Sequence, residues 1–195
     1  MRWLALAVLA SWSIGGLFFS LGPALGAQLL ASTNAIVAEI GIVTLTGTAA
    51  VAQLVLGRTR PWLAASAGSL ALAIGIVLIV LSTRSDSTAT YLGGSIIGGA
   101  GFGLAFLGGL RALVSATPPD QRAAVMSAFY IVAYSAFSIP AVVAGLLVND
   151  LGLDTTFEAF GSVVAVIAIV VAFAAWRTRT GFKAVGDAEA APQLG

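Results

Sequence analysis

The sequence predicts an all-α polytopic membrane protein with six transmembrane helices. Of its 195 residues, 59% are hydrophobic and 9% are charged, with a mean hydropathy of +1.03. That balance leaves too little polar surface to cover a water-soluble domain. The apolar residues also fall into six blocks, each near or above the ~20 residues that cross a bilayer as a helix. The blocks are residues 3–30, 34–57, 62–82, 91–116, 122–148 and 155–176.

Basic residues follow every second block and so predict the orientation of the helices. Short loops rich in Lys and Arg stay in the cytoplasm. The remaining base, Arg84, lies beside Asp86, and the fifth connection has acidic residues only. We therefore expect a multi-pass protein of the inner (plasma) membrane with both termini in the cytoplasm. The bases on the expected cytoplasmic side are Arg2, Arg58, Arg60, Arg111, Arg122, Arg177, Arg179 and Lys183.

The two ends of the chain are interpreted differently. Met1-Arg2 followed by apolar residues is similar to the start of a signal peptide, but the apolar block continues to Leu30, beyond the ~7–15 residues of a signal-peptide core. We therefore expect a retained first helix. Residues 1–178 form one six-helix domain in this interpretation. Residues 179–195 have no apolar period and are expected to be a disordered cytoplasmic tail.

Glycine and proline mark where helices approach closely or bend. Four-residue glycine spacings on the fourth helix predict two grooves of small residues on neighbouring faces. Their role is close packing or, alternatively, sliding and bending during a transport cycle. A proline inside the first helix and one inside the fifth are expected to produce kinks. These packing and kink residues are Pro23, Gly94, Gly98, Gly99, Gly103 and Pro140.

Polar side chains form stripes on some helices and not on others. On the second helix Glu39, Thr46 and Gln53 are seven apart, which keeps them on one face. The fifth helix has a stripe of Ser127, Tyr130, Tyr134 and Ser138, and the first has Ser13, Ser20 and Gln28. The third and sixth helices have no such stripe. This order predicts a three-plus-three internal repeat whose third members lie outside.

Several classes of function lack their chemistry in this chain. Cysteine and histidine are absent, so no metal site, no cofactor and no enzyme activity are expected. The aspartates lie in the predicted loops and tail, so an intramembrane pair of aspartates is not expected. Lys183, the one lysine, lies beyond the last span, so a serine-lysine dyad inside the membrane is not expected either. There is no basic tract of the kind that binds nucleic acid.

Four segments, residues 15–30, 54–62, 98–113 and 117–147, resemble those of a known family. GGLFFSLGPALGAQLL, LVLGRTRPW, GGAGFGLAFLGGLRAL and TPPDQRAAVMSAFYIVAYSAFSIPAVVAGLL are similar to the C-terminal six-helix half of a major facilitator superfamily transporter, especially drug-efflux-like bacterial members. Gly57, Arg58 and Arg60 match the end of that superfamily's glycine-and-basic cytoplasmic loop motif, whose aspartate is missing here. Ser138, Pro140 and Gly145 are similar, in degenerate form, to a glycine-proline motif that exporters carry.

The resemblance implies a fold, a cavity and an activity. The chain would be half of a twelve-helix fold, with the first, second, fourth and fifth helices around a substrate cavity. Gln28, Glu39, Thr46, Gln53, Tyr130 and Tyr134 would face that cavity, and the alternative is that they only join helices by hydrogen bonds. Glu39 is the candidate for proton coupling, or else a charge in the first turns of its helix.

The expected partners are a small organic solute and the lipid bilayer. The resemblance implies proton-coupled efflux of the solute, and import stays open as the other direction of transport. Because the superfamily has two six-helix halves, this chain would need a second one. It could come from a split or truncated gene, from a partner polypeptide, or from a second copy of this chain. The alternative function is a non-transporting membrane scaffold, an assembly subunit or an inactive transporter fragment.

Overall fold

The computed structural model describes residues 2–31 and 34–177, and within them the chain is helical with no β-strand. The prediction of an all-α fold is confirmed for these residues. The predicted tail, residues 179–195, and residue 178 before it lie outside the described residues. The helices are α1 (Arg2–Leu29), α2 (Ala35–Ala38), α3 (Ile40–Leu56), α4 (Pro61–Ser85), α5 (Thr88–Ser115), α6 (Arg122–Leu151) and α7 (Leu153–Arg177), with a 3₁₀ turn at Pro119–Gln121.

Four segments of the described chain are long and apolar enough to cross a membrane. They comprise α4, α5, α7 and the segment Pro119–Leu151, which includes α6. Helix α3 is also apolar but has 17 residues, a length of about 26 Å at 1.5 Å per residue. Helix α1 has 28 residues and includes Pro23.

Local sequence sets the tight turns between these helices. Asp86 ends α4 in a left-handed conformation, with φ 45°, which closes the last helical turn. Ser87 then caps α5, its hydroxyl accepting a hydrogen bond from the Thr90 N–H at 3.3 Å. Gly152, with φ 81°, is the one residue between α6 and α7. Such short connections make successive helices run antiparallel.

The second apolar block is not one continuous helix. Glu39 separates α2 from α3, and its ψ of −4° departs from the roughly −42° of a regular α-helix. Neighbouring helices contact both sides of this break. A Cβ at Gly26 of α1 would overlap the Ala38 carbonyl oxygen, and a Cβ at Gly41 would overlap the hydroxyl of Tyr91 on α5. The break in the second apolar block therefore lies where α1 and α5 pack closely against it, and the sequence pattern of the block does not indicate these contacts.

Helices α4 and α5 form the most extensive contact, through glycines on both helices. A Cβ at Gly75 would overlap the backbone of Gly98, and a Cβ at Gly101 would overlap that of Leu72. Without side chains at these positions the two backbones come close enough for extensive dispersion contact. Helix α7 packs on the other side of α4, where Gly161 faces Ile76. Helix α4 thus lies between α5 and α7.

Helix α1 packs along α6, and the two run parallel. A Cβ at Gly16 would overlap the carbonyl oxygen of Phe137. Four residues further along both helices, the Ser20 hydroxyl donates to the Ala141 carbonyl at 3.3 Å. A small residue on α1 therefore meets a backbone carbonyl of α6 at two successive turns.

Helix α5 packs along α3 in the same manner. A Cβ at Gly99 would overlap the carbonyl oxygen of Leu45, and four residues further along both helices a Cβ at Gly103 would lie 2.5 Å from the Ala49 carbonyl oxygen. These two helices also run parallel. Helices α1 and α5 also contact each other. The four helices are therefore arranged in the order α3, α5, α1 and α6.

The described charges separate to the two ends of the bundle. One end, which we call the basic end, includes Asp120 and several arginines: Arg2, Arg58, Arg60, Arg111, Arg122 and Arg177. The opposite, acidic end has Glu39, Asp86, Asp150, Asp154 and Glu158, with Arg84 as its one described base. Because successive helices run antiparallel, alternate loops lie at opposite ends of the bundle, and their charges are separated in the same way.

Candidate functional site

An aromatic cluster lies where α1, α5 and α6 meet. The Trp12 ring is 5.4 Å from Tyr134 in an edge-to-face arrangement and 6.0 Å from Phe106. Such geometry is favourable for aromatic pairs. The neighbouring contacts extend the cluster along α6. Its members are Trp12, Phe19, Phe106, Phe129, Tyr130, Tyr134 and Phe137.

Tyr130 and Tyr134 form the outer surface of this aromatic cluster. Their rings stack with centroids 6.2 Å apart and planes at 26°, and they are 48% and 59% exposed. Ser127 and Ser138 of the same stripe are exposed as well. The structure therefore places the whole α6 stripe on an open face of the bundle. Tyrosine offers both an apolar ring and a hydroxyl to whatever covers this face.

The predicted residues on α3 lie apart from these tyrosines. Thr46 and Gln53 are half-buried on α3, which packs on α5 and not along α6. The Thr46 hydroxyl donates to the carbonyl of Ile42 at 2.7 Å, a bond within its own helix that satisfies the hydroxyl. Of the residues predicted to face a cavity, Thr46 and Gln53 therefore lie on α3 and the two tyrosines lie on α6. Helices α1 and α5 lie between α3 and α6.

Gln28 is engaged with α7. Its amide Nε2 donates to both carboxylate oxygens of Asp154, at 3.1 and 3.2 Å. This bond joins the last turn of α1 to the first turn of α7 at the acidic end. For Gln28 the contact is therefore a hydrogen bond between two helices, the kind of contact that the alternative to a cavity role predicts.

Glu39 lies half-exposed at the break between α2 and α3, two residues before Gly41, and the hydroxyl of Tyr91 lies against Gly41. Its side chain makes no capping bond to the start of α3. Tyr91 is fully buried, and among the described residues its hydroxyl has no hydrogen-bond partner. A buried hydroxyl without a partner costs about 1–3 kcal/mol. The acid and the unpaired hydroxyl therefore form one polar locus at the acidic end.

The predicted packing residues lie between helices. Gly94 and Gly98 face α4, whereas Gly99 and Gly103 face α3. Pro23 and Pro140 lie inside α1 and α6. Each removes one backbone hydrogen bond from its helix.

The predicted loop motif is bound by a side chain from α5. Gly57 ends α3, and its carbonyl accepts a hydrogen bond from Nη1 of Arg111. The same nitrogen lies 3.4 Å from the Thr59 carbonyl. Arg58 and Arg60, on either side of Thr59, are exposed.

Sequence reasoning missed two residues of these sites, Trp12 and Tyr91. Trp12 had a usable signal, because tryptophan is typical of membrane interfaces and this one lies well inside an apolar block. Its indole N–H is buried without a partner among the described residues. Tyr91 opens its block, a position typical of an interfacial residue. Only the packing of α5 against α3 brings its hydroxyl to Gly41, two residues from Glu39.

The described residues contain no group of acidic side chains arranged to hold a metal ion. The side chains of the aromatic cluster offer stacking and hydrogen bonding, and Glu39 offers a carboxylate. In comparisons with known proteins, no family model, no curated protein and no solved structure matches this chain.

Proposed function

We propose that this chain is a six-helix half of a secondary active transporter for a small organic solute, which works when joined to a second six-helix half. The observation that carries the proposal is the repeated contact between parallel helices. Gly16 and Ser20 meet α6 in the same way that Gly99 and Gly103 meet α3. Such duplication with inverted direction is typical of transporter folds.

The sequence supports the same duplication. Residues 15–26 read GGLFFSLGPALG, and residues 98–109 read GGAGFGLAFLGG. Their paired glycines and a phenylalanine that follows them align. The second glycine of each pair, Gly16 or Gly99, meets the parallel partner helix. In this proposal α1, α2 with α3, and α4 form one triplet, and α5, α6 and α7 form the second. The corresponding helices of the two triplets run in opposite directions.

Six spans and a sidedness follow from this arrangement. We infer that α1 and the α2–α3 segment cross the membrane together with the four long apolar helices. The basic end then faces the cytoplasm, since arginine-rich short loops stay on that side. The inner (plasma) membrane is the proposed location, with both termini inside.

The open face of α6 supports the need for a second half. Tyr130 and Tyr134 are accompanied there by exposed Ile131 and Leu146, so the face is amphipathic instead of uniformly apolar. Polar groups directed at lipid are costly. A second half would cover this face and enclose the aromatic cluster as one wall of a cavity for an amphipathic solute.

Reconstitution tests the proposal. The purified chain is placed in proteoliposomes under an imposed pH gradient, over a series of protein densities, and a panel of amphipathic solutes is added while a dye reports proton movement. If two copies form the transporter, the rate per chain rises with density. If another polypeptide supplies the second half, the rate stays at the protein-free level until that polypeptide is co-expressed.

Cross-linking identifies the second half independently. The chain has no cysteine, so a single Ile131→Cys variant, on a side chain that is 68% exposed, reports what approaches α6. Linkage to a second copy or to a co-expressed six-helix protein is expected, and Leu70→Cys on the outer face of α4 is the control. If the Ile131→Cys variant forms no cross-link and the chain moves no solute in any preparation, it would instead be a scaffold or an inactive fragment.

A further inference from the structure

Three arginines converge on one connection at the basic end. Arg111 on α5 donates to the carbonyls of Gly57 and Thr59, and these residues alternate with Arg58 and Arg60. The guanidinium of Arg111 therefore lies against the same short loop that presents the other two. We call Arg58, Arg60 and Arg111 the basic cluster.

The basic cluster is left without a counter-charge. All three side chains are exposed, and among the residues that the structure describes none of them makes an ion pair. The one described acid at this end, Asp120, lies on a different connection, between α5 and α6. Three cations at one loop attract an anion with several oxygens, because guanidinium groups match phosphate geometry.

Apolar side chains continue directly from the basic cluster. At the end of α3, Leu54 is 85% and Val55 is 73% exposed, and Leu63 at the start of α4 is 43% exposed. Trp62 lies in the first turn of α4, next to the loop, and tryptophan favours the headgroup region of a bilayer. The site is thus cationic at the helix ends and apolar towards the bilayer centre.

We propose that the basic cluster binds the phosphodiester headgroup of an anionic phospholipid whose acyl chains lie along Leu54, Val55 and Leu63. The charge selects an anionic over a zwitterionic headgroup, and the exposed apolar side chains next to it select a lipid over a free phosphate. Arg111 is a positioning residue as well as a charge, since it fixes the loop that presents Arg58 and Arg60.

Native mass spectrometry of the purified full chain in detergent tests this. Phosphatidylglycerol and phosphatidylcholine with identical acyl chains are titrated separately, and bound lipids are counted. The unmodified chain is expected to bind phosphatidylglycerol more tightly. The double variant R58Q/R60Q is expected to lose about fivefold in that affinity for each arginine removed, with phosphatidylcholine binding unchanged as the check on folding.

Matched variants separate a built site from general surface charge. R122Q/R177Q removes two arginines from the same end of the bundle, outside the basic cluster, and is expected to keep the phosphatidylglycerol affinity within about twofold. R58K/R60K keeps the charge and is expected to retain most of the binding. An equal loss in R58Q/R60Q and R122Q/R177Q would overturn the proposal. So would full displacement of the lipid by an equal concentration of glycerol phosphate, which would assign the cluster to a soluble phosphate.

Discussion

Arg84 and Glu158 form a bidentate ion pair between the last turn of α4 and the second turn of α7. Nε of Arg84 lies 2.8 Å from Oε1 of Glu158, and Nη2 lies 2.7 Å from Oε2. The Thr83 hydroxyl also donates to Oε1, at 3.3 Å. This pair neutralises the one described base at the acidic end, and so explains how an arginine is accommodated on the side that the loop charges otherwise leave acidic.

Breaking this ion pair is expected to lower thermal stability modestly, because the pair is partly exposed and surface pairs contribute little. Glu158→Gln and Arg84→Gln should each lower the melting temperature in detergent. The exchanged variant R84E/E158R should recover part of the loss. A melting temperature that is the same in all four proteins, at low salt, would mean that the pair does not join α4 to α7 in the protein.

The glycines between α3 and α5 predict a large effect of a single methyl group. Gly99→Ala places a Cβ against the Leu45 carbonyl, and we expect a loss of about 1–3 kcal/mol from overpacking. Gly93→Ala is the matched control on the same helix, with nothing within 4 Å of its Cβ. That variant should be stabilised by up to about 1 kcal/mol from helix propensity. Unfolding by SDS in mixed micelles measures both, and equal effects would contradict the parallel α3–α5 packing.

The unpaired hydroxyl of Tyr91 predicts that its removal is harmless to the fold. Tyr91→Phe keeps the buried ring and deletes the unpartnered group, so stability should be unchanged or higher by about 1 kcal/mol. Tyr91→Ala should cost about 3 kcal/mol or more, because the cavity remains. Gly41→Ala should destabilise by overlap with the hydroxyl, and combining it with Tyr91→Phe should recover part of that loss. A strongly destabilised Tyr91→Phe would mean that the hydroxyl has a partner in solution.

Glu39 gives a pH prediction that depends on the proposed transport activity. If its carboxyl couples proton to solute movement, Glu39→Gln should remove the pH dependence of transport across about pH 5.5–8, since only the ionisable group is lost. Asp150→Asn, an exposed acid at the same end, is the control and should leave the profile unchanged. An unaltered profile in Glu39→Gln would assign this residue to the helix break alone.

The aromatic cluster predicts which tyrosine substitution matters. In the assembled transporter Tyr134→Ala should lower apparent solute affinity by about two- to tenfold, the worth of an aromatic contact, and Tyr134→Phe should keep it. Phe173→Ala, on the exposed face of α7, should have no effect on affinity. Direct solute binding measures all three. If the three variants bind solute with equal affinity, the aromatic cluster is not part of the solute site.

Composition and periodicity by themselves determined that the chain is helical, where its long apolar helices lie and how their charges separate to two ends. These properties are local, because helix length, capping and loop charge depend on residues a few positions apart. The regular glycine spacing on α5 likewise predicted its two small-residue surfaces, which lie against α4 and α3 in the structure.

Which side chains of different helices meet depends on how the helices pack. Gln28 of α1 binds Asp154 of α7, 126 residues away. Arg84 pairs with Glu158, and Tyr91 lies against Gly41 beside the break at Glu39. No periodicity within one helix encodes the rotation and register of its neighbour, because those are set by summed close contacts across the whole bundle. For the same reason the likeness between the α1–α6 contact and the α3–α5 contact, small residues against backbone carbonyls, depends on the packing of the helices.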